Sequence, residues 1–300
     1  MRKLFTLTLL IFLASFFFSS IRADILYVKP GTASNAWQGK SLVYSDLQAA
    51  MTAASAGDSI WVAAGKYKPT DDGDRSISFE LKDDVKYYGG FSGNETELNQ
   101  RDWNQNRTIL SGDIGEEGKQ FDNTYNVLLS NGSASSPITE KTRLDGFIVE
   151  KGYANGLSGT ENAYGGGLYL KYASPIFINC HFRFNYSGTF GGAVYGDDNS
   201  DALFGNCVFS RNSARFDGGA VDAKSSLKFF NCVWYLNKTE RKGGTVDGFY
   251  ISIYNSIGWM NSDANGMNDF RVGEKAFSIF QGGSGNNISD VLRTKKLLGK

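Results

Sequence analysis

Four stretches share one pattern of apolar and polar positions: IFINCHF at 176–182, ALFGNCVF at 202–209, LKFFNCVW at 227–234 and ISIYNSIGW at 251–259. Apolar residues nearly alternate over a few positions and then break at an Asn. That is the period of short β-strands, with no helical repeat in it. The Asn-Cys pairs begin at Asn179, Asn206 and Asn231, and a fourth copy has Ser256 in place of Cys after Asn255. Six residues beyond each stands a second Asn: Asn185, Asn212, Asn237 and Asn261. Six further on, in the first three copies, a Gly pair starts at Gly191, Gly218 and Gly243. The spacing from Asn to Gly never slips, and all length variation follows the Gly pair. A rigid half and an adjustable half are what stacked coils require. A weaker earlier copy is LDGFIVEKG at 144–152.

One coil per repeat, with three short strands in each, predicts an all-β chain folded as a parallel β-helix, a β-solenoid. Equivalent residues then lie about 4.8 Å apart on neighbouring coils. Stacked Asn amides can hydrogen-bond along such a ladder, and Asn accepts the left-handed backbone of a tight bend. Phe182, Phe209 and Trp234 form an expected inner aromatic column. Leu168, Val194, Val221 and Val246 form an aliphatic one. The Cys180–Cys207–Cys232–Ser256 column competes with His181–Val208–Val233–Ile257 for the interior, and the pattern alone leaves that choice open. YSDLQAAMTAASAGD at 44–58 predicts a short helix with Ser45 as N-cap and Leu47, Ala50, Met51 and Ala54 on one face, covering the raw end of the core. SIWVAAGKYKP, SISFELKDDVKYYGGF and TILSGDI read as further strands, and 93–106 as a loop leaving the coil.

The N-terminus adds an address. A basic start, an apolar run at 4–18 and small residues up to Ala23 form the layout of a secretory signal peptide over 1–23. The run is shorter than a membrane span. The expected organisation is therefore 1–23 signal peptide, 24–56 N-terminal strand and capping helix, 57–290 parallel β-helix, and 291–300 a basic tail. That tail is either a cap or the stump of a truncated coil. The expected location is extracellular, or the outer surface of a Gram-negative cell. No transmembrane segment is expected in the mature chain.

Composition narrows the chemistry. The chain of 300 residues carries 31 basic and 31 acidic residues, so the basic face of a nucleic-acid binder is not expected. One His and three Cys leave too few groups for a zinc site or a His-based nucleophile, and an odd Cys count cannot close a disulfide framework. His181, alone, reads as packing or surface. The Cys column reads as small buried filling, since Ser256 occupies the same slot.

If Val194, Val221 and Val246 point inward, their neighbours point out. That column is Tyr169, Tyr195, Asp222, Asp247, and the next is Lys171, Asp197, Lys224, Phe249. Asp222 and Asp247 would lie about 5 Å apart, near the spacing of a retaining glycosidase pair, and two carboxylates so close raise one pKa. Tyr169 and Tyr195 beside Asp197, Asp222 and Asp247 would suit sugar binding, with Lys224 available to the carboxylates. The alternative is a solvated sheet face, with Lys224 neutralising the pair. DDNSD at 197–201 offers oxygens on Asp197, Asn199 and Asp201, half of a calcium loop without its later Glu and Gly. The default expectation is no cofactor.

The repeat, with its GGAV at 191–194 beside Phe182 and Asn185, resembles that of chlamydial polymorphic outer-membrane proteins. The segments GDSIWVAAGKYKPT, YYGGFSGNETELNQRDW, TILSGDIG, YNSIGWMN and SIFQGGSGNN are similar to right-handed parallel β-helix proteins secreted by Bacteroidetes-type bacteria. The resemblance spans nearly all of 24–290 and implies a pectin-lyase-like β-helix at or outside the cell surface. Such proteins continue beyond the SGNN coil, whereas this sequence stops at ISDVLRTKKLLGK. Lyases of this fold need an Asp cluster and an Arg or Lys base, and hydrolases several Asp with a His. Neither motif is present in linear form. The resulting expectation is a non-catalytic extracellular recognition or adhesin-like protein whose partner is a glycan or a host or cell-surface protein. The alternative is a polysaccharide lyase or glycoside hydrolase acting on acidic polysaccharide, with Asp222, Asp247 and Lys224 as its candidate catalytic groups.

Overall fold

A computed structural model of the chain describes residues 23–31, 37, 39–241, 244–264, 266, 270–276 and 278–280. The signal-peptide reading of 1–23 falls almost wholly outside them, as do Gly243 and the 291–300 tail. The fold is a right-handed parallel β-helix. Its strands assemble into sheets of 15, 8 and 4 strands among the described residues. The largest is two runs of coils joined at Val246–Tyr254, which pairs with Val221–Ala223 and with Lys228–Phe230. All these ladders are parallel, so each strand meets its equivalent one coil away. The weak early copy joins in register, Ile148 opposite His181 and Val149 opposite Phe182.

The interior is built from columns. Phe177, Phe204 and Phe229 stack at 4.8 Å centroid spacing. Phe182, Phe209 and Trp234 stack at 5.2 and 5.7 Å. The two columns meet edge to face at 5.5–6.0 Å, the arrangement that ring quadrupoles favour. Leu168, Val194, Val221 and Val246 are fully buried beside them. The structure settles the open strand face: Cys180, Cys207 and Cys232 point inward, while Val208 and Val233 are half-buried and Ile257 is exposed. All three thiols are unpaired and buried.

Two Asn ladders hold the corners. Asn179, Asn206, Asn231 and Asn255 sit at φ of 53, 54, 55 and 46°. Their amides link coil to coil at 2.6–3.4 Å. In the early copy Gly146, at φ 84°, occupies this corner. The second ladder, Asn185–Asn212–Asn237–Asn261, is buried. Each of its amides also donates to a carbonyl of the preceding coil, as Asn212 does to Phe182 O at 2.9 Å.

The predicted end cap is present as a helix at Leu47–Ala53 that buries Leu47, Ala50 and Met51. Its N-cap is Asp46, not Ser45. The Asp46 carboxylate accepts from the backbone N–H groups of Gln48 at 3.2 Å and Ala49 at 2.9 Å, so the helix starts one residue later than the pattern predicts. No described helix is long and apolar enough to cross a membrane.

Candidate functional site

The outward column after the Gly pair is in register across four coils. Tyr169 lies opposite Tyr195, Tyr195 opposite Asp222, and Asp222 opposite Asp247. A fifth member, Arg271, lies opposite Asp247 in the next strand, Phe270–Ala276. Strand alternation puts all five on the outer face, because Val194, Val221 and Val246 fill the inside.

The tyrosine half is closed. Tyr169 and Tyr195 are only 5% and 3% exposed, so neither offers a ring face to a sugar. Tyr164, which follows the short helical turn Glu161–Ala163, stacks on Tyr195 at 4.6 Å, and Tyr169, its neighbour in the column, stacks on it at 6.0 Å. The Tyr169 hydroxyl donates to Asp197 at 2.7 Å. Burial and this carboxylate push the Tyr169 pKa far up, and burial takes that of Tyr195 to about 12.

The carboxylate half is divided. Lys224 does not neutralise the Asp222–Asp247 pair: its ammonium bonds Asp197 at 3.1 Å and lies over the Tyr195 ring. Arg271 takes that place, bonding Asp247 at 2.7 Å and Asp217 at 2.6 Å. Asp222 accepts no side-chain or backbone hydrogen bond from a described residue and is partly covered. The corner explains the cover. Gly218, at φ 61°, approaches so closely that a Cβ there would stand 2.5 Å from the Asp222 Cβ. Burial first, then the negative charges of Asp247 and Asp217, raise the Asp222 pKa well above the carboxylate range, against the pull of Arg271 and Lys224. Asp222 thus favours its protonated form, one coil away from an Asp247 that is ion-paired with Arg271. An acid and an ionised partner side by side are the equipment of acid–base or nucleophilic hydrolysis. Asp217, the second partner of Arg271, lines a hollow of about 600 Å³ together with Phe190, Phe216, Glu240, Arg241 and Ala264; Asp222 and Asp247 are not in its lining.

The calcium candidates are otherwise engaged. Asp197 is held by Tyr169 and Lys224, and Asp201 pairs with Lys228 at 2.6 Å. Asn199 is exposed at the turn, at φ 60°. Among the described residues no group of three His, Cys, Asp or Glu side chains could hold a metal ion.

Sequence reasoning did not find Asp217, Arg271 or Tyr164. Asp217 was legible, since it stands directly before the Gly pair where the previous copy has Phe190. Arg271 was not, because its coil has lost both the Asn-Cys and the Gly-Gly signals.

No protein-family model matches the chain, and no curated protein does. Solved structures similar to it include a pectin methylesterase from carrot, at 13% identity and TM-score 0.43, covering 80% of this chain and 64% of the other. A pectin methylesterase from Aspergillus niger is similar at 14% identity and TM-score 0.47, covering 90% and 89%. One from Yersinia enterocolitica is similar at 10% identity and TM-score 0.42, covering 84% and 96%. This chain therefore spans just under two thirds of the carrot protein. Likeness at this level concerns the course of the chain alone.

Proposed function

We propose that this protein is a carbohydrate-active hydrolase working on a polysaccharide outside the cell, with Asp222 and Asp247 as its reacting pair. The observation that carries the reading is their unequal surroundings: Asp247 is held by Arg271 at 2.7 Å, while Asp222 is partly covered, has no such partner and has its pKa pushed up. In this reading Asp222 delivers a proton to the leaving oxygen. Asp247, kept ionised by Arg271, attacks the substrate or activates water. The coil spacing of about 4.8 Å suits the attacking role, which wants carboxyls roughly 5 Å apart. The hollow beside Asp217 is of a size for one or two sugar rings, within the roughly 300–1,000 Å³ of small-ligand pockets. The secreted location rests on the leader-like pattern of 1–23, and the kinship with surface β-helix proteins on the repeat motif.

One observation favours a second reading, a non-catalytic glycan-recognition or adhesin-like protein. Arg271 is shared between Asp217 and Asp247, which closes a charge cluster that could serve the coil stack alone. The test is incubation of the full chain with neutral and acidic polysaccharides, reading new reducing ends, released methanol and unsaturated products. Hydrolysis lost in Asp247→Asn and in Asp222→Asn supports the hydrolase. Retained binding with no turnover supports the second reading, and unsaturated products would point to a lyase.

A further inference from the structure

A second recess lies on the 8-stranded sheet, whose inner column includes Phe182–Phe209–Trp234 and whose outer column runs Ile109–Ile148–His181–Val208. It encloses about 390 Å³ between Trp103, Arg107, Asn179, His181, Arg183 and Asn206. The loop at 93–106 supplies one wall. It leaves the coil after Phe91 and is carried back by Arg101, which bonds Asp145 at 2.9 Å and lies 4.9 Å from the Trp103 ring. The opposite wall is the corner where Asn179 and Asn206 stack.

The charges in this recess do not cancel. Arg183 is committed to Glu150, at 2.7 and 2.6 Å. Arg101 is committed to Asp145. Arg107 is exposed, and its one hydrogen bond to a described residue is a long one to Asn104 O at 3.4 Å; no described carboxylate pairs with it. His181 adds no charge at neutral pH. Burial, then Arg183 and Arg107, pull its pKa down to about 4, and its Nε2 lies 2.7 Å from Ser210 Oγ. A half-exposed indole, Asn amides and one uncompensated guanidinium therefore face one concave space. Guanidinium matches carboxylate geometry, and an aromatic wall beside it suits a sugar ring.

We propose that this recess is a binding site for a carboxylate-bearing ligand, with Arg107 as the charged anchor and Trp103 as the apolar wall. It lies on a different sheet from Asp222 and Asp247, so it stands or falls independently of the hydrolase reading. The carboxylate could belong to a uronate residue of a glycan or to a small organic acid.

The chain's one histidine makes the test direct, since its imidazole resonances need no assignment. The full chain is titrated with pH in the absence of ligand, with tri-galacturonate, with acetate and with maltotriose. A bound carboxylate near His181 stabilises the imidazolium, so the His181 midpoint should move up by about 1 pH unit with tri-galacturonate. It should not move with maltotriose, and Arg107→Gln should remove the movement while leaving the melting temperature unchanged. Movement with acetate at equal concentration would assign the site to the carboxylate alone; its absence would assign it to the uronate. No movement with either anion, an equal effect of maltotriose, or an undiminished effect in Arg107→Gln would overturn the proposal.

Discussion

The side-chain oxygen of Asn212 accepts from both the backbone N–H and the side-chain amide of Asn185, each at 3.1 Å. Asn212 then repeats the same grip on Asn237, at 3.0 and 2.9 Å. Both oxygen and nitrogen are thus satisfied at a position with no access to water.

Asn212→Ala should be among the most damaging single changes. It strands the Asn185 backbone N–H and one of the two amide hydrogens of Asn185, and it takes a donor from Phe182 O and from Asn237 Oδ1, which keeps only the residue-212 backbone N–H. Each buried orphan costs about 1–3 kcal/mol. Partial relaxation leaves an expected loss of at least about 3 kcal/mol, or roughly 6 °C or more in Tm by differential scanning calorimetry. Asn206→Ala, in the exposed ladder, should lose only the roughly 1–2 kcal/mol of placing Ala in the left-handed region, and Asn206→Gly should recover most of it. Equal losses at both positions would contradict the division into a buried and an exposed ladder.

Cys207→Ser should fold. Cys207 Sγ points at Gly205 O at 3.3 Å, and Ser256, in the equivalent slot, donates to Tyr254 O at 2.7 Å. The hydroxyl therefore finds a partner, and a cost within about 1.5 kcal/mol is expected, read as a shift of the urea midpoint without a change of slope.

His181→Val should improve resistance to acid. The imidazole titrates near 4 in the fold and near 6.5 in the unfolded chain, so the unfolded chain binds more protons between those values. Its contribution to stability is then complete above about pH 6.5 and is lost as pH falls toward 4. Val, as at Val208 and Val233 in the same column, removes that loss. The variant's advantage in Tm should grow from pH 7 to pH 4.5; a constant difference would contradict it.

Asp222→Asn should stabilise at neutral pH. A raised folded pKa means that the folded state binds more protons than the unfolded state above about pH 4, so the native carboxyl loses stability as pH rises. The amide removes this dependence. Its benefit, about 2–4 °C in Tm for each kcal/mol, should vanish near pH 3. Gly218→Ala should act in the opposite direction at every pH, since its Cβ would meet Val221 O at 2.4 Å and the Asp222 Cβ at 2.5 Å.

Much of this architecture is legible in the sequence, because a solenoid repeats its constraints. The Asn and Gly corners, the Phe182–Phe209–Trp234 column and the register Tyr195–Asp222–Asp247 all follow from equal spacing. What the spacing does not carry is the set of left-handed residues before the buried ladder. Phe184, Arg211, Leu236 and Met260 adopt φ of 54, 54, 54 and 51°, and none is a residue type that signals such a bend. The following Asn fixes them, as its backbone N–H is captured by the next coil's side chain. The cover over Tyr195 is legible in the same way as Asp217: Tyr164 stands directly before the Gly run at 165, the position of Phe190 and Asp217, and stacks on Tyr195. Arg271 belongs to a coil that has shed its motif, so the ion partner of Asp247 could not be read from the repeat.

Asp222 keeps its proton at neutral pH while Asp247 beside it is ion-paired, and carboxyl-carbon NMR across pH, with Asp222→Asn to assign the signal, reads this from the carboxyl itself. The Asp222 signal is expected to titrate well above the usual carboxylate range of about 4 and to move down in Asp247→Asn, since burial and the neighbouring negative charge raise it. An Asp222 signal that titrates together with the exposed aspartates, or that is indifferent to Asp247→Asn, would contradict it.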